Sequence, residues 1–340
     1  MKKYLTAADT PREPIDWLWR DRIPYGMLSL VAGLPKVGKS LFAYFIAGEV
    51  LRAGGAVIYA TGEETYRTTA RPRIEAVAGN AAALERVTWW PRDRVLPRDL
   101  DELHALIIRE QASLVVLDPI VAFLGVSIHN DQEVRRALLP VADVAEETHA
   151  SFLGSSHTIK AISARAHPIH AIGGSGGGLA AAARMVFLFG KGEEDEVRLS
   201  LVGSNLGPTD IPSYLFEIDT FEFDDVDPVP YLIEIGEGEE SSLDDARVML
   251  KEAGVSAESK DAKRARAAEF LIDFLRAGPV RATEIYLAAE ANGHSLRTLR
   301  RAADDLKIAR PRGGPNSIWS LPQELLDSLD DDTETGDGNG

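Results

Sequence analysis

The chain has 340 residues, 45% of them hydrophobic, and a formal net charge of −16. This composition is typical of a globular protein and excludes wholesale disorder; no run approaches the roughly 18 uninterrupted apolar residues that span a bilayer. The lack of cysteine excludes disulfides and thiolate metal sites. The basic amino-terminal segment has no apolar core after it, so we expect no secretory signal, no membrane contact and a cytoplasmic protein.

The charge is distributed unevenly along the chain. Residues 260–322 contain 12 lysine and arginine residues against 7 acidic ones, whereas the last 17 residues contain 7 acids and no base. A strongly acidic segment of this kind is typically solvated. We therefore predict a disordered acidic tail over 323–340, with docking or DNA mimicry as the alternative role.

Apolar runs and helical stretches alternate through the first two thirds of the chain. Buried strands are predicted at 28–34, 56–60, 113–118 and 151–156, and helices at 40–51, 103–111 and 134–150. Two later runs, 184–190 and 196–204, predict a strand pair, and the acidic segment 219–240 predicts the outer edge of the sheet. This alternation indicates an α/β fold with a mostly parallel central sheet, whose ligand site lies at the carboxyl ends of the strands.

The segment "GLPKVGKS" fits the pattern G-x-x-x-x-G-K-[ST], the P-loop or Walker A motif. It lies between a predicted strand and a predicted helix, so it predicts ATP bound with Mg²⁺. Lys39 would reach the β- and γ-phosphates, and Ser40 would hold the Mg²⁺. The predicted nucleotide-binding residues are Gly33, Leu34, Pro35, Lys36, Val37, Gly38, Lys39, Ser40 and Leu41.

Acidic residues end two of the other predicted strands. Asp118 ends the run "SLVVLD" and is predicted to contact the Mg²⁺ water shell. Glu63 and Glu64 follow the first strand after the P-loop helix, where a glutamate polarises the attacking water in RecA-like ATPases. In many other branches of these ATPases the base lies beside the second acid. Here Asp118 is followed by Pro119 rather than by a glutamate, which favours Glu63 or Glu64 as the base. Spacing does not decide between the two glutamates.

His157 follows the strand at 151–156, and Lys160 comes three residues later. A polar side chain there can sense the γ-phosphate and couple it to the next loop. That loop, 161–178, is glycine-rich and carries Arg165, His167 and His170 but no acid. Long loops inside compact domains are typically either functional or disordered.

Arg184 immediately precedes the predicted strand "MVFLFG". An arginine at this place is a candidate arginine finger acting on the nucleotide of a neighbouring subunit. The alternative is an arginine that forms only a surface salt bridge.

Between roughly residues 14 and 220 the chain resembles the AAA_25 group of RecA-like ATPases. The resemblance is carried by the order of its motifs, which are the Walker A loop, "GEE", "LDP", "SSHTIK", "GGSGGGLAAAAR" and "SNLGP". Its best known member type is the hexameric plasmid replicative helicase RepA. The resemblance implies a RecA-like P-loop NTPase fold, a hexameric ring with ATP between subunits, a finger acting in trans, and single-stranded DNA in a central channel. It makes 161–178 a channel loop and 121–133 a second candidate. The roles carried over fall on Lys39, Ser40, Glu63, Glu64, Asp118, His157 and Arg184.

The carboxy-terminal part has a pattern of its own. A helix carrying Phe270 and Leu271, a second at 282–291 and a third at 295–306 precede a predicted two-stranded hairpin at 308–322. This order predicts a winged helix-turn-helix, a fold that binds either DNA or protein. The predicted DNA-binding residues, in this module and in the channel loop, are Lys160, Arg165, His167, His170, Arg297, Arg300, Arg301, Arg310 and Arg312.

We therefore predict an ATPase domain over 1–240, a linker over 241–262, a winged helix over 263–322 and the tail. The favoured function is that of a ring ATPase translocating on single-stranded DNA, with helicase activity in DNA replication of a phage or mobile element. One alternative is a non-unwinding recombination or repair mediator, or a helicase loader. Another is an ATP-switched winged-helix regulator on duplex DNA. Replication or recombination proteins are the expected partners.

Overall fold

The computed structural model describes residues 6–128, 130–158, 167–172, 177–192, 196–207, 211–254, 258–276, 278–291, 296–309 and 317–327. The chain divides into two compact units, Met1–Ala253 and Gly254–Gly340. Within the described ranges no helix combines the length and the apolarity needed to cross a membrane.

The first unit begins with a small antiparallel pair, β1 (Trp17–Trp19) and β2 (Ile23–Pro24). Its large sheet consists, in the described residues, of nine strands: β3 (Leu28–Gly33), β4 (Ala56–Thr61), β5 (Val87–Trp89), β6 (Ala112–Asp118), β7 (Ser151–His157), β8 (Met185–Lys191), β9 (Val197–Ser204), β10 (Pro212–Phe221) and β11 (Val229–Ser241). Their spatial order is β11-β10-β9-β8-β3-β7-β6-β4-β5. The six strands from β8 to β5 are parallel, and β9, β10 and β11 join them antiparallel. The predicted α/β class with a mostly parallel central sheet is confirmed.

Six α-helices cover this sheet in the part of the unit that the structure describes: α1 (Lys39–Arg52), α2 (Arg71–Ala78), α3 (Leu100–Glu110), α4 (Asp131–Thr148), α5 (Gly178–Ala182) and α6 (Ser242–Gly254). Successive side chains of a strand point to opposite faces. Leu30 therefore joins a core that includes residues of α3, α4, α5 and α6, and its neighbour Val31 joins a core under α1 and α2. Burial on both faces explains why the parallel strands are continuous apolar runs.

The helix α6 follows the outer strand β11 and packs in the first unit. Ala246 and Met249 are buried in the core shared with α3 and α4. Asp245, only 1% exposed, pairs with Arg198 of β9. The boundary between the two compact units lies at the end of this helix, between Ala253 and Gly254, whereas the sequence pattern predicts a linker from 241.

The second unit contains α7 (Glu258–Leu275), β12 (Val280–Arg281), α8 (Ala282–Ala291), α9 (Leu296–Asp305) and β13 (Ile318–Trp319). The strands β12 and β13 pair antiparallel, and Ala309 forms an isolated bridge with Ser320. Its small core includes Leu271, Ile285, Leu299 and Trp319. The helices α8 and α9 lie at the predicted positions, whereas α7 begins at Glu258, within the predicted linker. The winged-helix assignment stays a prediction. Most of the first leg of the predicted hairpin, 310–316, lies outside the described residues.

Candidate functional site

The P-loop connects the end of β3 to the start of α1. Gly38 has φ 104° and Lys36 φ 65°, and these two left-handed residues turn the chain back toward the helix. A Cβ on Gly33 would collide with the backbone carbonyl of Phe189, so only glycine fits there. The first helical bond of α1 runs from Phe42 N–H to Gly38 C=O (3.0 Å). The amides of residues 39–41 thus precede the helical pattern and can donate to an anion.

Lys39 is buried, with 7% of its surface exposed. Its Nζ donates to Leu34 O (2.8 Å) and Gly33 O (3.1 Å) and lies 3.4 Å from His157 Nδ1. Burial lowers the pKa of Lys39, while Asp118 and Glu63 act against this shift. The ammonium group is held at the loop, where a phosphate would meet it.

Asp118 ends β6 beside Lys39 and Ser40. Asp118 is 6% exposed, its carboxylate accepts a hydrogen bond from the Ser155 hydroxyl, and Ser40 lines the same cleft. Burial raises the pKa of Asp118, and the hydroxyls and Lys39 oppose that shift. A buried carboxylate and a hydroxyl side by side supply the hard oxygen ligands that Mg²⁺ prefers. Ser40 and Asp118 are therefore suited to hold the predicted Mg²⁺.

Glu63 and Glu64 occupy different environments although they are adjacent in sequence. The side chain of Glu63 is 68% exposed, lines the cleft and has Oε1 3.8 Å from His157 Nε2. The side chain of Glu64 is 12% exposed and accepts hydrogen bonds from the Tyr44 hydroxyl (2.6 Å) and from Arg73. Of the two glutamates, Glu63 is the one whose side chain lines the cleft in front of the P-loop.

His157 lies between Lys39 and Glu63 at the end of β7. Because an ammonium group has only donors, the ring Nδ1 accepts from Lys39 and a neutral ring carries its proton on Nε2, on the side of Glu63. The predicted sensor residue is therefore in contact with the P-loop lysine and near a candidate base.

One cleft of about 290 Å³ unites these groups. Its lining includes Lys36, Gly38, Lys39, Ser40, Leu41, Glu63, Arg73, Asp118, Ser155, His157 and Pro230. Ser155, Arg73 and Pro230 were not predicted from the sequence. Ser155 stands in the quoted "SSHTIK" motif, which is a signal that could have identified it. Arg73 and Pro230 come from α2 and β11, and no local pattern marks them.

Arg184 lies away from this cleft. Its backbone N–H donates to Leu28 O, at the beginning of β3, whereas the P-loop follows the end of that strand. Five residues at about 3.3 Å each separate the two ends by about 16 Å. The exposed Arg184 therefore lies near the amino-terminal ends of the parallel strands, whereas the P-loop of its own chain lies at their carboxyl ends.

The structure describes only some of the predicted DNA-binding residues. His167 precedes the short turn Pro168–Ala171, and His170 lies within it; both are exposed, and their ring centroids are 6.5 Å apart. Arg300 and Arg301 are exposed on α9, and Arg300 lies over the Tyr286 ring at 5.8 Å. The side chain of Arg297 and all of Lys160, Arg165, Arg310 and Arg312 lie outside the described residues.

Comparison with family models gives a match to part of the chain. The family model of an AAA domain, AAA_25, matches residues 4–162, a span that includes the P-loop, both glutamates, Asp118 and His157. No curated protein matches the chain. The matched span and the geometry of the cleft support an AAA-type P-loop ATPase domain in this part of the chain.

Proposed function

We propose that this chain hydrolyses ATP with Mg²⁺, that Glu63 is the general base, and that hydrolysis drives an action on DNA. The observation that carries the catalytic part is the convergence of Lys39, Asp118, Glu63 and His157 on one cleft. The other side chain that was a candidate for the base, Glu64, already has donors at both carboxylate oxygens.

Each residue then has a distinct task. Lys39 would exchange its two loop carbonyls for phosphate oxygens, and Ser40 and Asp118 would hold the Mg²⁺. The metal neutralises charge on the phosphates when bound. Glu63 accepts a proton from the attacking water, and the Nε2–H of His157 lies beside its carboxylate. The exposed carboxylate of Glu63 already lies in front of the P-loop, so it can accept this proton without breaking other bonds. Glu64 would first have to leave Tyr44 and Arg73.

Nucleotide binding and steady-state hydrolysis test the assignment of the base. Glu63→Gln should lower kcat about 100-fold or more, in the range of lost general-base catalysis, and leave the Kd for ATP almost unchanged. Lys39→Ala should abolish binding. Glu75→Gln removes an exposed carboxylate of α2 paired with Arg71 and serves as the control, with unchanged kcat. Full activity of Glu63→Gln would exclude this residue as the base.

We further propose a RepA-like ring, a homo-hexamer that moves single-stranded DNA through a channel, as in a replicative helicase or translocase of a phage or mobile element. The exposed position of Arg184, about 16 Å from its own P-loop by strand length, supports a finger that acts on a neighbour's nucleotide. Mixing inactive Lys39→Ala and Arg184→Ala proteins tests this. Interfaces that combine the intact finger of one with the intact P-loop of the other should restore hydrolysis; no recovery would exclude a finger in trans.

A long single-stranded DNA provides the functional test of the motor. Stimulation of hydrolysis by tenfold or more, absent in Lys39→Ala, is the expected result for a translocating ATPase. Hydrolysis that DNA does not change would overturn the motor and leave a mediator or loader that does not unwind.

A second candidate is an ATP-switched regulator that binds duplex DNA through its second unit as a winged helix. The exposed Arg300 and Arg301 on α9 favour it, because arginines on such a helix bind phosphates. Duplex affinity that falls in the double variant Arg300→Ala/Arg301→Ala, with unchanged hydrolysis, would support this role. Equal affinity of variant and wild type would exclude these arginines as the DNA contact.

A further inference from the structure

We infer that Glu64 is a positioning residue: together with Tyr44 and Arg73 it forms a polar bridge that fixes the turn presenting Glu63 and connects this turn to the P-loop helix. The inference rests on the proposed role of Glu63. It assigns a function to three residues of which two, Tyr44 and Arg73, carry no motif.

The bridge joins three elements at a buried point beside the cleft. The Tyr44 hydroxyl of α1 donates to Glu64 Oε2 at 2.6 Å, and the Arg73 guanidinium of α2 donates to Glu64 Oε1. The side chains of Glu64 and Arg73 are 12% and 24% exposed. Burial raises the pKa of Glu64, and the two donors act against that shift by stabilising the charged form. The carboxylate is thus a partner of α1 and α2 rather than an acceptor open to water.

The turn that follows β4 is held on both sides of Glu63. The Gly62 N–H donates to Asp118 O at 2.9 Å, which ties the turn to the end of β6. The Glu64 N–H donates to Thr61 Oγ1 at 3.1 Å, which closes the turn on itself. A Cβ on Gly62 would lie 2.6 Å from Ala122 Cβ, so the turn packs closely against the segment after β6. Glu63 is the residue between these two anchors.

The same face of α1 contacts both acidic positions. Ser40 and Tyr44 are four residues apart and therefore lie on one side of the helix. Ser40 lines the cleft together with Asp118, and the Tyr44 hydroxyl donates to Glu64. The Tyr44 ring also stacks on Tyr59 of β4, with centroids 4.7 Å apart and planes at 9°. A shift of α1 when phosphates bind would thus be transmitted to the turn that carries Glu63.

A purely structural ion pair makes a different prediction from a positioning bridge. A structural pair affects the stability of the fold and leaves kcat unchanged at temperatures where the protein is folded. A positioning bridge affects kcat without affecting nucleotide affinity, because a displacement of about 1 Å at a reacting group lowers the rate by up to about 100-fold.

The experiment uses the full chain and combines kinetics with amide hydrogen exchange. Tyr44→Phe keeps the stacked ring and removes the donor; Glu64→Ala removes the bridge, and Glu64→Gln keeps part of its hydrogen bonding. We expect kcat to fall about tenfold in Tyr44→Phe and further in Glu64→Ala, with partial recovery in Glu64→Gln. The Kd for a fluorescent ATP analogue should stay within about twofold of wild type, since no atom of the bridge belongs to the P-loop.

Amide exchange in residues 61–65 should accelerate in the same variants, while exchange in 33–41 stays as in wild type. Tyr66→Phe, which removes a hydroxyl that donates to Trp90 O, is the matched control and should change neither kcat nor exchange at 61–65. Should Glu64→Ala fail to fold, Tyr44→Phe alone decides.

Unchanged exchange at 61–65 in Tyr44→Phe overturns the inference, whether or not the wild type hydrolyses ATP. Faster exchange with unchanged kcat in an active enzyme also overturns it, because the bridge would then be structural only. If exchange at 61–65 is faster in Tyr44→Phe but the wild type does not hydrolyse ATP, the proposed function is refuted instead. The bridge then remains the anchor of this turn.

Discussion

Lys36 has a left-handed backbone conformation at the mouth of the cleft, with φ 65°. For a residue with a Cβ this conformation costs roughly 1–2 kcal/mol. Glycine avoids most of this cost, but part of the gain is offset because glycine loses more conformational entropy on folding. Lys36→Gly should therefore raise the free energy of unfolding by about 1 kcal/mol, measured by urea denaturation. Its lost charge should weaken ATP binding about two- to fivefold.

The variant Lys36→Ala separates these two effects. It removes the same charge and keeps the Cβ, so we expect the weaker binding without the gain in stability. An equal gain in Lys36→Ala and Lys36→Gly would show that charge, rather than backbone conformation, determines the stability of the loop.

Asp99, before the first turn of α3, provides a prediction about pH. The hydrogen bond from Arg98, with a second one from Val95 N–H (2.7 Å), lowers the pKa of Asp99 from 3.8 to about 2. A carboxyl whose pKa is lowered by folding stabilises the fold above its unfolded pKa, and this contribution is lost as the pH falls toward the folded pKa. Asp99→Asn should therefore have a lower urea midpoint than wild type at pH 7, and the difference should narrow between pH 3.8 and 2.

Asp101, an exposed residue of the first turn of α3, supplies the control for removal of a negative charge at this helix end. Asp101→Asn should show only a small difference at pH 7. A gap between Asp99→Asn and wild type that persists unchanged down to pH 3 would argue against the lowered pKa as its cause.

Among the elements, α6 is paired with a residue distant in sequence. Asp245 of this helix is 1% exposed, and its partner Arg198, on β9, is 19% exposed. Removing one partner of a buried pair leaves an uncompensated charge and costs about 3–5 kcal/mol. Arg198→Met should lower the free energy of unfolding by this amount, as measured by urea denaturation.

The same helix contains an exposed pair that serves as the comparison. Arg247 and Asp244 have side chains 53% and 63% exposed, so Arg247→Met should change the free energy of unfolding by less than about 1 kcal/mol. Similar losses in the two variants would mean that the pair with Asp245 is weaker than its burial implies.

The central strands and the P-loop were predictable because their signals are local. Apolar runs mark β3, β6 and β7, and the spacing of Gly33, Gly38 and Lys39 marks the phosphate site. The attachment of α6 was not predictable, because it depends on Arg198, 47 residues away. The difference between Glu63 and Glu64 was not predictable either, since it arises from Tyr44 and from the folding of α2 against the turn.

At the scale of the whole molecule, the cleft and the exposed arginines of α9 belong to different compact units. The cleft lies in the first unit, and the exposed Arg300 and Arg301 lie in the second, which has its own core. If the chain is a motor, stimulation by single-stranded DNA should depend on the first unit. If it is a regulator, affinity for duplex DNA should depend on the second.

Two fragments that end on either side of α6 test where the ATPase domain ends. A fragment of residues 1–253 retains Asp245, Ala246 and Met249 and should unfold cooperatively and bind ATP with the Kd of the full chain. A fragment of residues 1–240 lacks all three, which uncovers part of the core and leaves Arg198 without Asp245. We expect a lower urea midpoint, by circular dichroism, in the shorter fragment. Equal midpoints would show that α6 contributes little to the first unit. Single-stranded DNA that stimulates hydrolysis by the 1–253 fragment as strongly as by the full chain would favour the motor, because the second unit would then be dispensable for coupling.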